Sequence, residues 1–287
     1  MESVLIIGAN GQLGNALRNI CGNDEKYFYH FTDIQELDIC NKSQLENFVH
    51  GNKIRLIVNC AAYTAVDKAE DDRQLCYKIN RDAVRNIGEV AALNQAKVIH
   101  ISTDYVFDGK GMRPYREEDD TSPASVYGHS KLAGENALLS TCTESIIIRT
   151  AWLYSETGNN FVKTMLRLGK ERDAIGVVND QKGTPTYAGD LASTVKTILE
   201  SDSFVSGIYH YTNEGICTWY DFTKKIFELS GFQCSVKPLR TEDYPTKAAR
   251  PAYSVLDKTK IKQTYKIYIP EWEVSLKKMI NRLEIKK

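Results

Sequence analysis

Val4-Leu5-Ile6-Ile7-Gly8-Ala9-Asn10-Gly11-Gln12-Leu13-Gly14 is an unbroken apolar run that stops on a glycine and continues through two more. Four branched aliphatic residues in a row predict a strand buried on both faces. The glycines predict a tight turn into a helix running from Gln12 to about Ile20. Such a turn brings backbone close to a pyrophosphate, where side chains at the glycine positions would clash. The helix N-terminus then offers its N–H groups and the positive end of its dipole to the phosphates. Three glycines can also serve a plain strand–helix turn, and it is their place directly after a buried strand that favours a dinucleotide.

The same alternation continues outward. Lys26–Phe31, Ile54–Cys60, Val98–Ser102 and Ser145–Arg149 read as further strands, and Leu75–Ala96 and Val126–Leu139 as helices. Strand, helix, strand in this order implies right-handed crossovers and a parallel sheet covered on both faces. The expected fold is therefore α/β, a Rossmann-type doubly wound parallel sheet with a smaller C-terminal substrate-binding lobe. Past residue 150 the alternation becomes irregular, interrupted by Pro185, Pro238, Pro245, Pro251 and Pro270. Residues 1–150 are assigned to a dinucleotide-binding domain to which part of the later chain returns. Residues 151–287 are assigned mainly to a lobe folded against the sheet edge.

Composition removes several function classes. Lys plus Arg and Asp plus Glu both number 37, so the formal charge is zero and nothing draws the chain to nucleic acid or an anionic membrane. No apolar run approaches the roughly 20 residues that span a bilayer. Met1-Glu2-Ser3 leads straight into the first strand without a charged-then-apolar leader, so a cytoplasmic location is expected. Seven scattered cysteines with no Cys-x-x-Cys pair read as reduced thiols, and with five dispersed histidines they imply no metal.

An acidic residue should end the second strand and bind the adenosine ribose. Asp33 meets that description, as would an ordinary turn aspartate, and facing the ribose it would repel a 2′-phosphate. Asp38 and Ile39 are placed to contact the adenine. Carbonyl reduction by a nicotinamide needs a proton donor near the developing alkoxide, and tyrosine serves if a cation lowers its pKa. Tyr127-Gly128-His129-Ser130-Lys131 puts phenol and ammonium on one helix face, with His129 and Ser130 read as surface residues. Among sixteen tyrosines such spacing recurs by chance, and Tyr220-Asp221-Phe222-Thr223-Lys224 repeats it in a Trp219-bearing segment read as lobe packing. Context separates them. Val98-Ile99-His100-Ile101-Ser102-Thr103 precedes Tyr127, setting the Thr103 hydroxyl at a strand's carboxyl end, where it can orient a substrate carbonyl. Ala61 and Ala62, in Asn59–Asp67, let backbone pass beside a cofactor ribose, or serve as small residues for helix packing at a strand end.

Together these segments resemble the dTDP-4-dehydrorhamnose reductases among the extended short-chain dehydrogenases, whose glycine turn likewise places its second glycine three positions after the first. The resemblance runs nearly end to end. It includes Asn59–Asp67, Ser102-Thr103-Asp104-Tyr105-Val106-Phe107, Val126–Gly134, Arg149-Thr150-Ala151-Trp152, Asn159-Asn160-Phe161, Gly183-Thr184-Pro185-Thr186 and Arg250-Pro251. It implies reduction of a nucleotide-linked 4-ketosugar with NADPH or NADH. Tyr127 would give its proton to the C4 oxygen, Lys131 would hold the nicotinamide ribose, and Thr103 would bind the carbonyl. Thr103, Asp104 and Trp152 would contact the sugar. Gly11, Gln12, Leu13, Asp38, Ile39, Ala62, Tyr63 and Thr64 would contact the cofactor. Arg250 is a diphosphate ligand by charge or a surface arginine. Some relatives dimerise through magnesium held by glutamates. The matching positions here are Ala16 and Gly189, with Asp190 beside it, so a monomer or a different homodimer is expected.

Rival readings share the fold. A dehydratase needs an acid and a base after the threonine, typically Asp-Glu, and here Thr103-Asp104 is followed by Tyr105. Epimerases usually carry a longer C-terminal lobe. A non-catalytic subunit, such as the regulatory subunit of methionine adenosyltransferase, would not require Thr103, Tyr127 and Lys131 together. Another nucleotide-sugar reductase would.

Overall fold

The computed structural model describes residues 1–22 and 26–285. In chain order the first half comprises β1 (Glu2–Ile7), α1 (Gln12–Cys21), β2 (Tyr27–Thr32), α2 (Lys42–Gly51), β3 (Ile54–Asn59), α3 (Val66–Ala69), α4 (Arg73–Tyr77), α5 (Ala83–Leu93), β4 (Lys97–Thr103), α6 (Val126–Thr141) and β5 (Ser145–Thr150). The second half adds β6 (Leu153–Tyr154), α7 (Phe161–Glu171), β7 (Ala174–Val178), β8 (Lys182–Gly183), β9 (Thr186–Tyr187), α8 (Ala188–Glu200), β10 (Gly207–His210), β11 (Cys217–Thr218), α9 (Trp219–Ser230), β12 (Ser235–Leu239), α10 (Thr259–Tyr265) and α11 (Trp272–Ile285). No helix among the described residues is long and apolar enough to cross a membrane.

Six strands pair in the order β10-β5-β4-β3-β1-β2, every pair parallel. Alternate residues of β1 separate into the two covering layers. Val4 and Ile6 pack with Leu13 and Leu17 of α1 and Leu191, Val195 and Ile198 of α8. Leu5 and Ile7 pack with Leu45 and Val49 of α2, Val84 and Ile87 of α5 and Leu138 of α6. An apolar strand with no polar face is what such burial requires.

One feature departs from the expectations. The expected helix over Leu75–Ala96 is broken into α4 and α5 by a π-helical segment, Lys78–Asp82. The bulge turns Asn80 inward, where α6 comes so close that a Cβ on Gly134 would lie 2.0 Å from the Asn80 carbonyl oxygen. The later chain divides between the main sheet and a separate cluster. β10 extends the main sheet beside β5, and α8 covers the same face as α1. α10 packs on that same face through Ile261 and Tyr265, and most of the remaining elements gather around Phe222, Ile226, Leu276 and Met279, with short pairs β7–β12, β8–β11 and β6–β9.

Candidate active site

Chain direction across the sheet reverses between β1 and β3, and ligands of open α/β sheets bind at the strand ends beside that point. Gly8 sits there with φ 74°, and a Cβ would lie 2.7 Å from the Ala61 backbone nitrogen. Any side chain would both strain the turn and close the crevice. At Gly14 the obstruction is backbone again, with the Gly8 oxygen 2.3 Å from a built Cβ. Gly11 occupies the N-cap of α1, which has no side-chain cap and leaves the first-turn N–H groups for an anion. A dinucleotide fits this cradle.

The other cofactor candidates divide by how they can act. The Asp33 carboxylate accepts from the Asn10 and Ile34 backbone N–H groups at 3.0 and 2.8 Å, so it braces the glycine turn. Asp38 accepts from the Cys40 N–H at 2.9 Å. The side chains of Leu13 and Ile39 are buried in opposite layers of the core, which leaves only their backbone for a ligand. Gln12 reaches the other way. Its Oε1 accepts from Ser155 Oγ and Asn160 Nδ2, each at 3.0 Å, stapling the turn to the loop before α7. Ala62 and Tyr63 are half-buried, and Thr64 is exposed. Asn80 holds Tyr63 from both sides, accepting from its N–H at 2.8 Å and donating to its carbonyl at 3.1 Å.

Thr103 ends β4, and Tyr127 and Lys131 lie on α6, whose first turn is capped by Ser125 Oγ accepting from the Gly128 N–H. α6 approaches the turn after β4 so closely that a Cβ on Gly128 would sit 2.3 Å from the Tyr105 carbonyl oxygen. Tyr127 retains 8% exposure, so its phenol is recessed without being sealed. Burial pushes its pKa up, and the nearby Thr103 hydroxyl opposes the rise. Lys131, expected to lower it, is engaged elsewhere: Nζ donates to the Ile101 carbonyl at 2.7 Å and lies 3.3 Å from His100 Nε2. Burial lowers the lysine to about 8. The Thr103 hydroxyl donates to Asp104 Oδ1 at 2.9 Å. It must therefore turn from that carboxylate to donate to a substrate. Asp104 is buried and pushed up to about 6, with the Thr103 bond opposing the rise.

A cavity of about 690 Å³ opens beside these groups, walled by Tyr105, Trp152, Trp219 and Arg250 among others. The Tyr105 ring meets Tyr127 edge-on at 5.5 Å, linking cavity and phenol. Trp152 stacks on Trp219 at 3.5 Å and holds φ 49°, an uncommon backbone state for a bulky residue that is concentrated at functional sites. Arg250 pairs with Asp67, while its Nη1 is buried without a partner. It is no loose surface arginine, and the open N–H suits an anionic ligand.

The structure corrects one expectation for the motif residues, the surface placing of Ser130, and adds to another. Ser130 is buried and accepts from Asn80 Nδ2 at 2.9 Å, because α6 turns that position onto the π segment; His129 is exposed. Trp219 packs in the lobe and also lines the cavity. The competing Tyr220 and Lys224 face each other across 5.3 Å on α9, ammonium over ring, with Lys224 exposed. Tyr220→Phe is expected to leave kcat within about twofold, since it removes no proton donor from the site. A loss comparable to that of a Tyr127 variant in the same assay would reverse the assignment. Sequence reasoning missed Asn80, a polar residue within a helical pattern that only the π bulge turns inward. It also missed the His100–Lys131 contact, since His100 read simply as part of a buried strand.

A model of the RmlD substrate binding domain matches residues 1–285. The dTDP-4-dehydrorhamnose reductase of Aggregatibacter actinomycetemcomitans is 44% identical, over 96% of this chain and 98% of its own. The crystal structure of a dTDP-4-dehydrorhamnose reductase from Clostridium acetobutylicum superposes with a TM-score of 0.94 at 43% identity, covering 98% of this chain and 99% of that one. The same enzyme from Bacillus anthracis, solved in complex with NADP, gives 0.94 at 42% identity with the same coverage. The chain belongs to the RmlD substrate-binding-domain family.

Proposed function

We propose that this chain reduces the C4 keto group of dTDP-4-dehydro-L-rhamnose to dTDP-L-rhamnose with NADPH or NADH, a step toward rhamnose-bearing polysaccharide. The observation that carries the reading is that α6 packs on β4, with Lys131 Nζ on the Ile101 carbonyl and Tyr127 edge-on to Tyr105 of the arginine-bearing cavity, at the strand end that Thr103 closes. When bound, the nicotinamide supplies the hydride. The protein supplies the rest. Gly8, Gly11 and Gly14 admit the pyrophosphate, Asp33 faces the adenosine side, and Lys131 takes the nicotinamide ribose. Tyr127 delivers its proton to the C4 oxygen, which Thr103 holds once its hydroxyl leaves Asp104. Asp104 and Trp152 bound the sugar, and Arg250 takes the diphosphate. We assign the cofactor chiefly to residues 1–150, with α8 and β10 returning to that part, and the sugar nucleotide to the remainder. A cytoplasmic location, as monomer or homodimer, suits a pathway fed by cytoplasmic nucleotides.

The test is NADPH or NADH oxidation followed by absorbance, with dTDP-4-dehydro-L-rhamnose set against its 4-keto-D-glucose precursor. Turnover should require the rhamnose epimer. Stable binding to an obligate protein partner with no cofactor oxidation would favour a regulatory subunit instead.

A further inference from the structure

Asn59 and His100 are direct cross-strand partners of β3 and β4, both buried beneath Lys131. The Ala61 N–H donates to Asn59 Oδ1 at 3.1 Å, which fixes the orientation of that amide. Its Nδ2 therefore faces His100 Nδ1, 3.0 Å away, and donates to it. A neutral imidazole whose Nδ1 accepts must carry its proton on Nε2. Nε2 lies 3.3 Å from Lys131 Nζ. An ammonium there would set two donors face to face, whereas an amine can accept the Nε2–H and still donate to the Ile101 carbonyl.

We infer that Asn59 and His100 are positioning residues that hold Lys131 as an amine, so that cofactor binding is accompanied by uptake of a proton at Nζ. Protonated, Nζ loses its acceptor interaction with the ring and keeps the Ile101 carbonyl, leaving its other N–H groups for the ribose hydroxyls. The proton comes from solvent, and no bond other than N–H is made. The other groups facing the pair do not undo this frame. Cys76 of α4 and Glu135 of α6 both favour the charged lysine, but Glu135 is committed to Arg149 of β5. Tyr127 on α6 is neutral at working pH. Burial itself drives both partners towards their neutral forms, lowering His100 and Lys131 together.

This inference rests on the cofactor-binding reading above but not on the identity of the sugar. Calorimetric titration of the full-length protein with NADPH at pH 8.5, in buffers of different ionisation heat, counts the protons taken up. More than about half a proton per cofactor is expected. In His100→Gln the side-chain carbonyl can accept from an ammonium, so the midpoint of uptake moves to higher pH. Uptake at pH 8.5 should then fall at least twofold. His100→Asn is the second variant, with the same expected direction, and should neither fold, the wild-type count alone decides. NADPH binding without proton uptake, or uptake unchanged in the folded variants, overturns the inference while leaving the reductase reading intact. Failure to bind either coenzyme overturns both.

Discussion

Tyr127→Phe is expected to lower kcat by about 10²- to 10⁴-fold while leaving the dissociation constant for NADPH unchanged. The phenol oxygen is the group that the phenylalanine lacks, and its interaction with the C4 oxygen strengthens only as charge develops there. The ring itself packs edge-on against Tyr105, beside Cys76 and Ala69, and phenylalanine preserves that packing. Lys131 remains in place through its own bond to the Ile101 carbonyl. The loss should therefore fall on the chemical step and not on cofactor affinity. Single-turnover reduction and a fluorescence titration of NADPH, performed on one preparation, separate the two quantities. Turnover near the wild-type value would mean that another group donates the proton.

The second large effect concerns stability. Arg149 and Glu135 form a two-pronged pair across α6 and β5, with Nη2 to Oε2 at 2.7 Å and Nε to Oε1 at 3.0 Å. Their side chains are only 2% and 1% exposed, so neither charge can turn to water. Ser102 donates to the same carboxylate, and the guanidinium lies over the Phe107 ring at 5.0 Å. Arg149→Met strands the carboxylate, and breaking such a pair costs about 3–5 kcal/mol. Removing the second charge as well, in Arg149→Met with Glu135→Leu, should recover much of that loss, because no uncompensated ion then remains. Urea unfolding curves compare the three proteins. A single-variant loss below about 1 kcal/mol, or a double variant as unstable as the single, would contradict the account. The pair also bears on catalysis. Glu135 stands one turn beyond Lys131 on α6, so the pair ties the helix that carries the catalytic side chains to β5.

The parts of the site legible in the sequence were those whose physical demand is local. Gly8 and Gly14 stand where backbone approaches backbone within the turn or the adjacent strand end, and a glycine advertises that demand in any alignment of strand and helix signals. Tyr127 and Lys131 share a face because helical spacing places them there. Other roles depended on what lies across the fold. Ser130 and Asn80, 50 positions apart, meet only because a π bulge faces α6. Leu13 and Ile39 bury their side chains in the core, so any cofactor contact falls to their backbone, which only the packing reveals. Trp219 gained a place in the cavity by stacking on Trp152, 67 positions earlier. Arg250 acquired its orientation from Asp67, far away in sequence.

By itself the sequence determined the parallel α/β sheet, the cradle after β1 and the phenol–ammonium helix, since strand hydrophobicity, glycine placement and helical periodicity act between near neighbours. The tertiary structure decided that β10 completes that sheet and which proton each buried group can hold. Those outcomes depend on desolvation and on donor–acceptor partners drawn from distant segments, and neither exists until the chain has folded around them.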